Sequence, residues 1–120
     1  GNIPVSLSTL FRLEDLWLDG NQFEGEIPKE LSHLTNLLYL NLFDNQLVGN
    51  IPIGFSRLSL LTLNISNNML SGTIPKEIIL SLNDAEVNIG KNYFIEDDPL
   101  PPNWKCENGF QRKFTSKSAR

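Results

Sequence analysis

The stretch Leu13 to Pro28, LEDLWLDGNQFEGEIP, is written twice more in this chain, as LLYLNLFDNQLVGNIP from Leu37 to Pro52 and as LLTLNISNNMLSGTIP from Leu60 to Pro75. A decayed fourth copy starts at Asp84. The tail of a further unit opens the chain, since Gly1-Asn2-Ile3-Pro4 matches Gly25-Glu26-Ile27-Pro28, Gly49-Asn50-Ile51-Pro52 and Gly72-Thr73-Ile74-Pro75 at spacings of 24, 24 and 23 residues. Repetition at a fixed period constrains the fold more than any composition does. A unit this short cannot bury its own apolar face, so each copy must cover the next and the core must run along a stack.

Each column of the repeat has a physical reading. Leu16/Leu18, Leu40/Leu42, Leu63/Ile65 and Val87/Ile89 alternate with polar or aromatic residues, the period-two signature of a short strand with one buried face. Asn21, Asn45, Asn68 and Asn92 follow at a constant offset, where an amide can satisfy backbone groups as the chain turns, so a buried asparagine ladder is expected. Phe23, Leu47, Leu70 and Phe94 return an apolar side chain to the interior. Gly25, Gly49 and Gly72 suit a bend that a Cβ would obstruct, and the following prolines fix φ. Leu31/Leu34, Phe55/Leu58 and Ile78 lie at a three-residue interval that suits a helical or 3₁₀ outer wall. The third copy lacks one residue between Leu58 and Leu60, which belongs on a tolerant outer connection.

The run Leu-x-x-Leu-x-Leu-x-x-Asn-x-(Leu/Phe)-x-Gly-x-Ile-Pro resembles the plant-specific class of leucine-rich repeats over residues 1–94. That resemblance implies an α/β solenoid, a right-handed superhelix with a concave parallel sheet, a helical or 3₁₀ outer wall and a second short strand near Gly-x-Ile-Pro. It also implies kinship with ectodomains of plant receptor-like kinases, receptor-like proteins and polygalacturonase-inhibiting proteins, and hence an extracellular recognition role.

The expected organisation is repeats over 1–94, a C-terminal cap over 95–111 and a disordered basic tail over 112–120. Ser81 and Asp84 stand where Leu34 and Leu37 stood, and Glu96, Asp97 and Asp98 replace the Gly-x-Ile segment, so buried columns turn polar as at a terminal cap. Trp104, and with it Phe110, is expected to fold over the last apolar layer. At the other end Ile3, Leu7 and Leu10 are expected to expose an unfinished layer and a bare strand edge, which self-association or further repeats would cover.

Charge narrows the partners. Residues 1–99 carry 13 Asp/Glu against 5 Lys/Arg, whereas residues 100–120 carry 1 against 5. An acidic body is wrong for a nucleic-acid partner, which needs clustered cations. No run is long and apolar enough to span a bilayer, so no direct membrane contact is expected from this segment. The lone His33 sits on the outer wall and Cys106 beyond the repeats, which gives a nucleophilic constellation nothing to converge on, so no enzyme and no cofactor are expected. Glu96, Asp97 and Asp98 lack the spaced oxygen ligands of a calcium loop, and no metal site is assigned.

Recognition has more to work with. The outward residues of the strands align as Asp15/Tyr39/Thr62/Glu86, Trp17/Asn41/Asn64/Asn88 and Asp19/Phe43/Ser66/Gly90. Trp17, Tyr39 and Phe43 therefore lie near one another on the concave face, with Asp15, Asp19 and Asp44 around them and Asn41 between. Aromatic area that the core does not need, rimmed by carboxylates, suits a binding hot spot for a protein or peptide. Two other functions fit the same surface: inhibition of a secreted cell-wall hydrolase, and a flat ice- or polysaccharide-binding array on the Asn41/Asn64/Asn88 column. The sequon Asn64-Ile65-Ser66 falls on the concave strand and marks Asn64 for a glycan if the chain is secreted.

Overall fold

A computed structural model describes residues 1–95 and 97–108. Two parallel sheets run side by side along a stack measuring 50 × 30 × 18 Å. The first holds β1 (Asp15–Trp17), β3 (Tyr39–Asn41), β5 (Thr62–Asn64) and β7 (Glu86–Asn88), and the second holds β2 (Glu24–Glu26), β4 (Gln46–Gly49), β6 (Met69–Thr73) and β8 (Tyr93–Ile95). Register in the first sheet places Leu16 beside Leu40, Leu40 beside Leu63 and Leu63 beside Val87. All four are buried, so the stack has one continuous apolar spine. Each such side chain, moved fully out of water, contributes about 1.5–3 kcal/mol.

The amide ladder ties each copy to the one before. Asn68 donates from Nδ2 to the carbonyls of Leu42, Ile65 and Ser66 and accepts the Leu47 N–H at Oδ1, and Asn92 repeats this one copy later with Ile65, Ile89, Gly90 and Leu70. Asn45 binds Leu18, Leu42 and Phe43 and accepts from Asn21 and Phe23. These three are buried. Asn21 is the exception to the expected ladder: it is exposed, and among the described residues its side-chain amide donates only to the Asp19 carbonyl, with no strand beside β1 on that side for it to reach, and Phe23 is correspondingly only half-buried.

The repeated glycine is required by its left-handed backbone, and the side chains that cross it would also have to shift. Gly25, Gly49 and Gly72 have φ of +77°, +85° and +82°, and a Cβ there would run into Asn2, Glu26 or Asn50 of the preceding copy. Each following proline then precedes an outer-wall turn. Three of these are 3₁₀ helices, Val5–Thr9, Lys29–His33 and Ile53–Arg57, and the i to i+3 bond from Leu34 N–H to the Leu31 carbonyl brings both leucines onto the buried face. The shortened third copy is accommodated at Leu58, whose ψ is 149° where Leu34 has 71°, so an extended residue replaces a turn.

Two expectations about the ends require correction. In the fourth copy Ser81 and Asp84 do not leave polar gaps in the core. This wall segment is the α-helix α1 (Lys76–Ser81), in which Leu82 N–H bonds the Ile78 carbonyl at i+4, so the buried positions move along by one residue and Leu82 and Ala85 fill them. At the other end Ile3 is buried, because Asn2 bridges Glu24 and seats Ile3 in the row formed with Ile27, Ile51 and Ile74. Leu7 is half-buried, while Val5, Leu10 and Phe11 are left largely in solvent.

The concave sheet also extends beyond β7. The N–H groups of Leu18, Leu42 and Ile65 donate to Asn41, Asn64 and Asn88, and Ile89 donates to Lys105 in the same way. Lys91 and Asn92 continue onto Glu107 and Asn108. Asn103 to Asn108 thus lies as a fifth strand position, with Trp104 in the inward column of Leu16, Leu40, Leu63 and Val87, and Cys106 in that of Ile89. Trp104 is buried and its Nε1 donates to the Leu82 carbonyl at 3.2 Å. Phe110 and the basic tail lie outside the described residues.

Candidate functional site

The concave face is built from three outward columns, now five positions long: Asp15/Tyr39/Thr62/Glu86/Asn103, Trp17/Asn41/Asn64/Asn88/Lys105 and Asp19/Phe43/Ser66/Gly90/Glu107. Neighbouring positions are ~4.8 Å apart. Pairing puts Asp15 directly beside Tyr39 and Trp17 directly beside Asn41. Trp17 is 60% exposed and Phe43 40%, while Tyr39 is half-buried; Asp15, Asp19 and Asp44 are all exposed. The aromatics therefore occupy one end of the face with carboxylates around them. Asp44 sits just past the strand at φ +60° and accepts the Asn67 amide at 2.7 Å, which holds it to the next copy rather than leaving it loose.

The middle column has a structural job. Asn41 accepts the Phe43 N–H, Asn64 the Ser66 N–H and Asn88 the Gly90 N–H, each through Oδ1 at 2.9–3.0 Å. These bonds end the strand in a local turn, with all three side chains half-buried. Each of these contacts engages the side-chain oxygen, so the amide oxygens of the column are spent within the strand ends. Asn41 thus holds the backbone at Phe43 while sitting half-buried between Trp17 and Asn64 on the same face. Trp17, in the same column, has no such oxygen and cannot serve this purpose.

A feature absent from the sequence reading lies at the other end. Phe43, Ser66, Gly90 and Glu107 run from large to small to none to large, which leaves a hollow of about 410 Å³ that Asn88, Lys91, Lys105 and Cys106 also line. Its floor cannot be raised, because a Cβ on Gly90 would stand 2.8 Å from the Glu107 carbonyl. A smaller hollow of about 150 Å³ beside it is lined by Thr62, Asn64, Glu86, Asn88, Asn103 and Lys105. The signal that could have revealed both is Trp104-Lys105-Cys106, an inward-outward-inward triplet like Leu63-Asn64-Ile65. Among the described residues no three His, Cys, Asp or Glu side chains gather as a metal site would require.

The family model for the leucine-rich repeat matches residues 12–34, 36–58 and 59–81, the three copies that carry β1 to β6. The chain belongs to the leucine-rich repeat family. Comparison with curated protein sequences gives no match. Among solved structures, this leucine-rich repeat chain is similar to the ectodomain of the receptor kinase SOBIR1 from Arabidopsis thaliana, with a TM-score of 0.80 and 28% identity over 90% of this chain and 64% of that one. The BIR2 ectodomain from the same plant gives 0.73 and 30% over 92% and 62%. The plant peptide hormone receptor RGFR1, solved in complex with RGF2, gives 0.73 and 40% over 78% of this chain and 15% of that one. The chain spans less than two thirds of each of these ectodomains.

Proposed function

We propose that this chain is a recognition segment of an extracellular, receptor-like ectodomain, and that it binds a protein or peptide through the N-terminal half of its concave face without chemistry of its own. The observation that carries this reading is Trp17. It is 60% exposed at the N-terminal end of the face, in the middle column, where the other copies use asparagine to end the strand. Burying an indole of this size against a partner contributes binding free energy that the fold does not use. The similarity to RGFR1, whose structure holds a peptide partner, supports the same class of ligand.

Charge sets the ligand's complement. Asp15 and Asp19 are exposed on either side of Trp17, so a ligand residue offering apolar area and a cation satisfies both the ring and the carboxylates. Selection from a displayed random-peptide library against the full chain tests this. The enriched peptides should carry Arg or Lys beside an apolar residue and should lose binding to a Trp17→Ala/Tyr39→Ala double variant. Peptides that hold the double variant as well as the parent would move the site elsewhere.

A further inference from the structure

We propose that Asn64 carries an N-linked glycan whose core covers the C-terminal half of the concave face and confines ligand to the Trp17 end; this rests on the extracellular reading above. Asn64-Ile65-Ser66 is the one Asn-x-Ser/Thr triplet in the chain. The transfer forms a bond from Asn64 Nδ2 to the anomeric carbon of a lipid-linked oligosaccharide. The anomeric C–O bond to the lipid pyrophosphate breaks, and one amide proton is released.

The fold decides which asparagines can bear such a substituent. Asn45, Asn68 and Asn92 are buried and each spends its Nδ2 on three carbonyls, so a sugar there would dismantle the stack. Asn64 is wired the opposite way. Its Oδ1 accepts both the Ser66 N–H at 3.0 Å and the Ser66 hydroxyl at 2.6 Å, and no hydrogen bond among the described residues uses its Nδ2. Substitution at nitrogen leaves both Ser66 bonds in place. The side chain is half-buried on the open face, so the substituent leaves into solvent rather than into the core.

The space it enters is already formed. Asn64 borders the smaller hollow, which shares Asn88 and Lys105 with the larger one. Amide, hydroxyl and ammonium groups there suit sugar hydroxyls, and Phe43 offers a ring for the C–H face of a pyranose. With that half covered, Asp15, Trp17, Asp19 and Tyr39 remain open.

The test is to secrete the full chain from a eukaryotic cell behind a cleavable leader and to measure its intact mass before and after peptide N-glycosidase. One glycan is expected, present in Ser66→Thr and absent in Asn64→Gln and Ser66→Ala. A secreted protein of bare peptide mass overturns the proposal. Coverage is tested at Lys105, which is exposed and lines both hollows: acetylation by an N-hydroxysuccinimide ester, read by peptide mapping, should modify it several-fold more slowly in the glycosylated form than in Asn64→Gln, or in Ser66→Ala should Asn64→Gln misfold. Equal rates overturn the coverage. Locating the protein made from its own gene tests the extracellular reading separately, because the leader directs secretion whatever the native address.

Discussion

Lys105 lies in parallel register beside Asn88, accepting the Ile89 N–H at 2.7 Å and donating its own N–H to the Val87 carbonyl at 2.8 Å. That relation makes the segment after the repeats another position of the concave sheet, and its inward anchor is Trp104. Trp104→Ala should cost about 3–5 kcal/mol by removing a buried ring and its bond to Leu82. Urea unfolding gives the stability change. Hydrogen exchange at the Ile89, Lys91 and Asn92 amides should accelerate with it, since these donate to Lys105, Glu107 and Asn108. Protection retained at those three amides would mean that the segment is held by something else.

The asparagine ladder gives a contrast within one column. Asn68→Ala removes four hydrogen bonds from a buried site and should cost about 2–4 kcal/mol, whereas Asn21→Ala, exposed and with one side-chain hydrogen bond among the described residues, to the Asp19 carbonyl, should cost under about 1 kcal/mol. Paired urea titrations decide it. Equal costs would remove the distinction between an interior and an edge position.

These contrasts show how far the sequence reached. Strand columns, register and the outer wall were legible because Leu16, Leu40, Leu63 and Val87 recur with a period that only stacking explains. The polar reading of Ser81 and Asp84 failed because alignment by spacing assumed a 3₁₀ turn, and an α-helix moved the buried positions to Leu82 and Ala85. The fifth strand position escaped because Lys105 follows Asn88 by fewer residues than one repeat, so it falls outside the period. The hollow it helps to form was hidden for the same reason. The aromatic end, by contrast, needed only Trp17, Tyr39 and Phe43 and the alternation of a strand.

Gly49 tests the crossing of one copy over the next. Its φ of +85° and the Glu26 side chain 3.1 Å from a notional Cβ predict that Gly49→Ala destabilises by about 1–3 kcal/mol. Glu26→Ala in the same background should restore part of the loss by removing the obstruction. No recovery would assign the whole cost to backbone conformation.

Lys91 occupies the left-handed position that Gly20, Asp44, Asn67 and Asn108 occupy in the other copies, with φ of +53°. Asparagine tolerates this region better than lysine does. Lys91→Asn should therefore stabilise by about 0.5–1 kcal/mol, seen as a higher urea midpoint at unchanged slope. A lower midpoint would show that the lysine side chain contributes more than its backbone costs.

The central claim is that the Trp17 end of the concave face is where this chain recognises its partner. Calorimetric titration of a library-selected peptide into the parent chain, Trp17→Ala, Tyr39→Ala and Leu80→Ala measures it most directly, Leu80 being exposed on the opposite wall. Trp17→Ala and Tyr39→Ala should each weaken binding by more than ~1 kcal/mol, with Leu80→Ala unchanged. Unaltered affinity in both concave variants, or an equal loss in Leu80→Ala, would contradict the account.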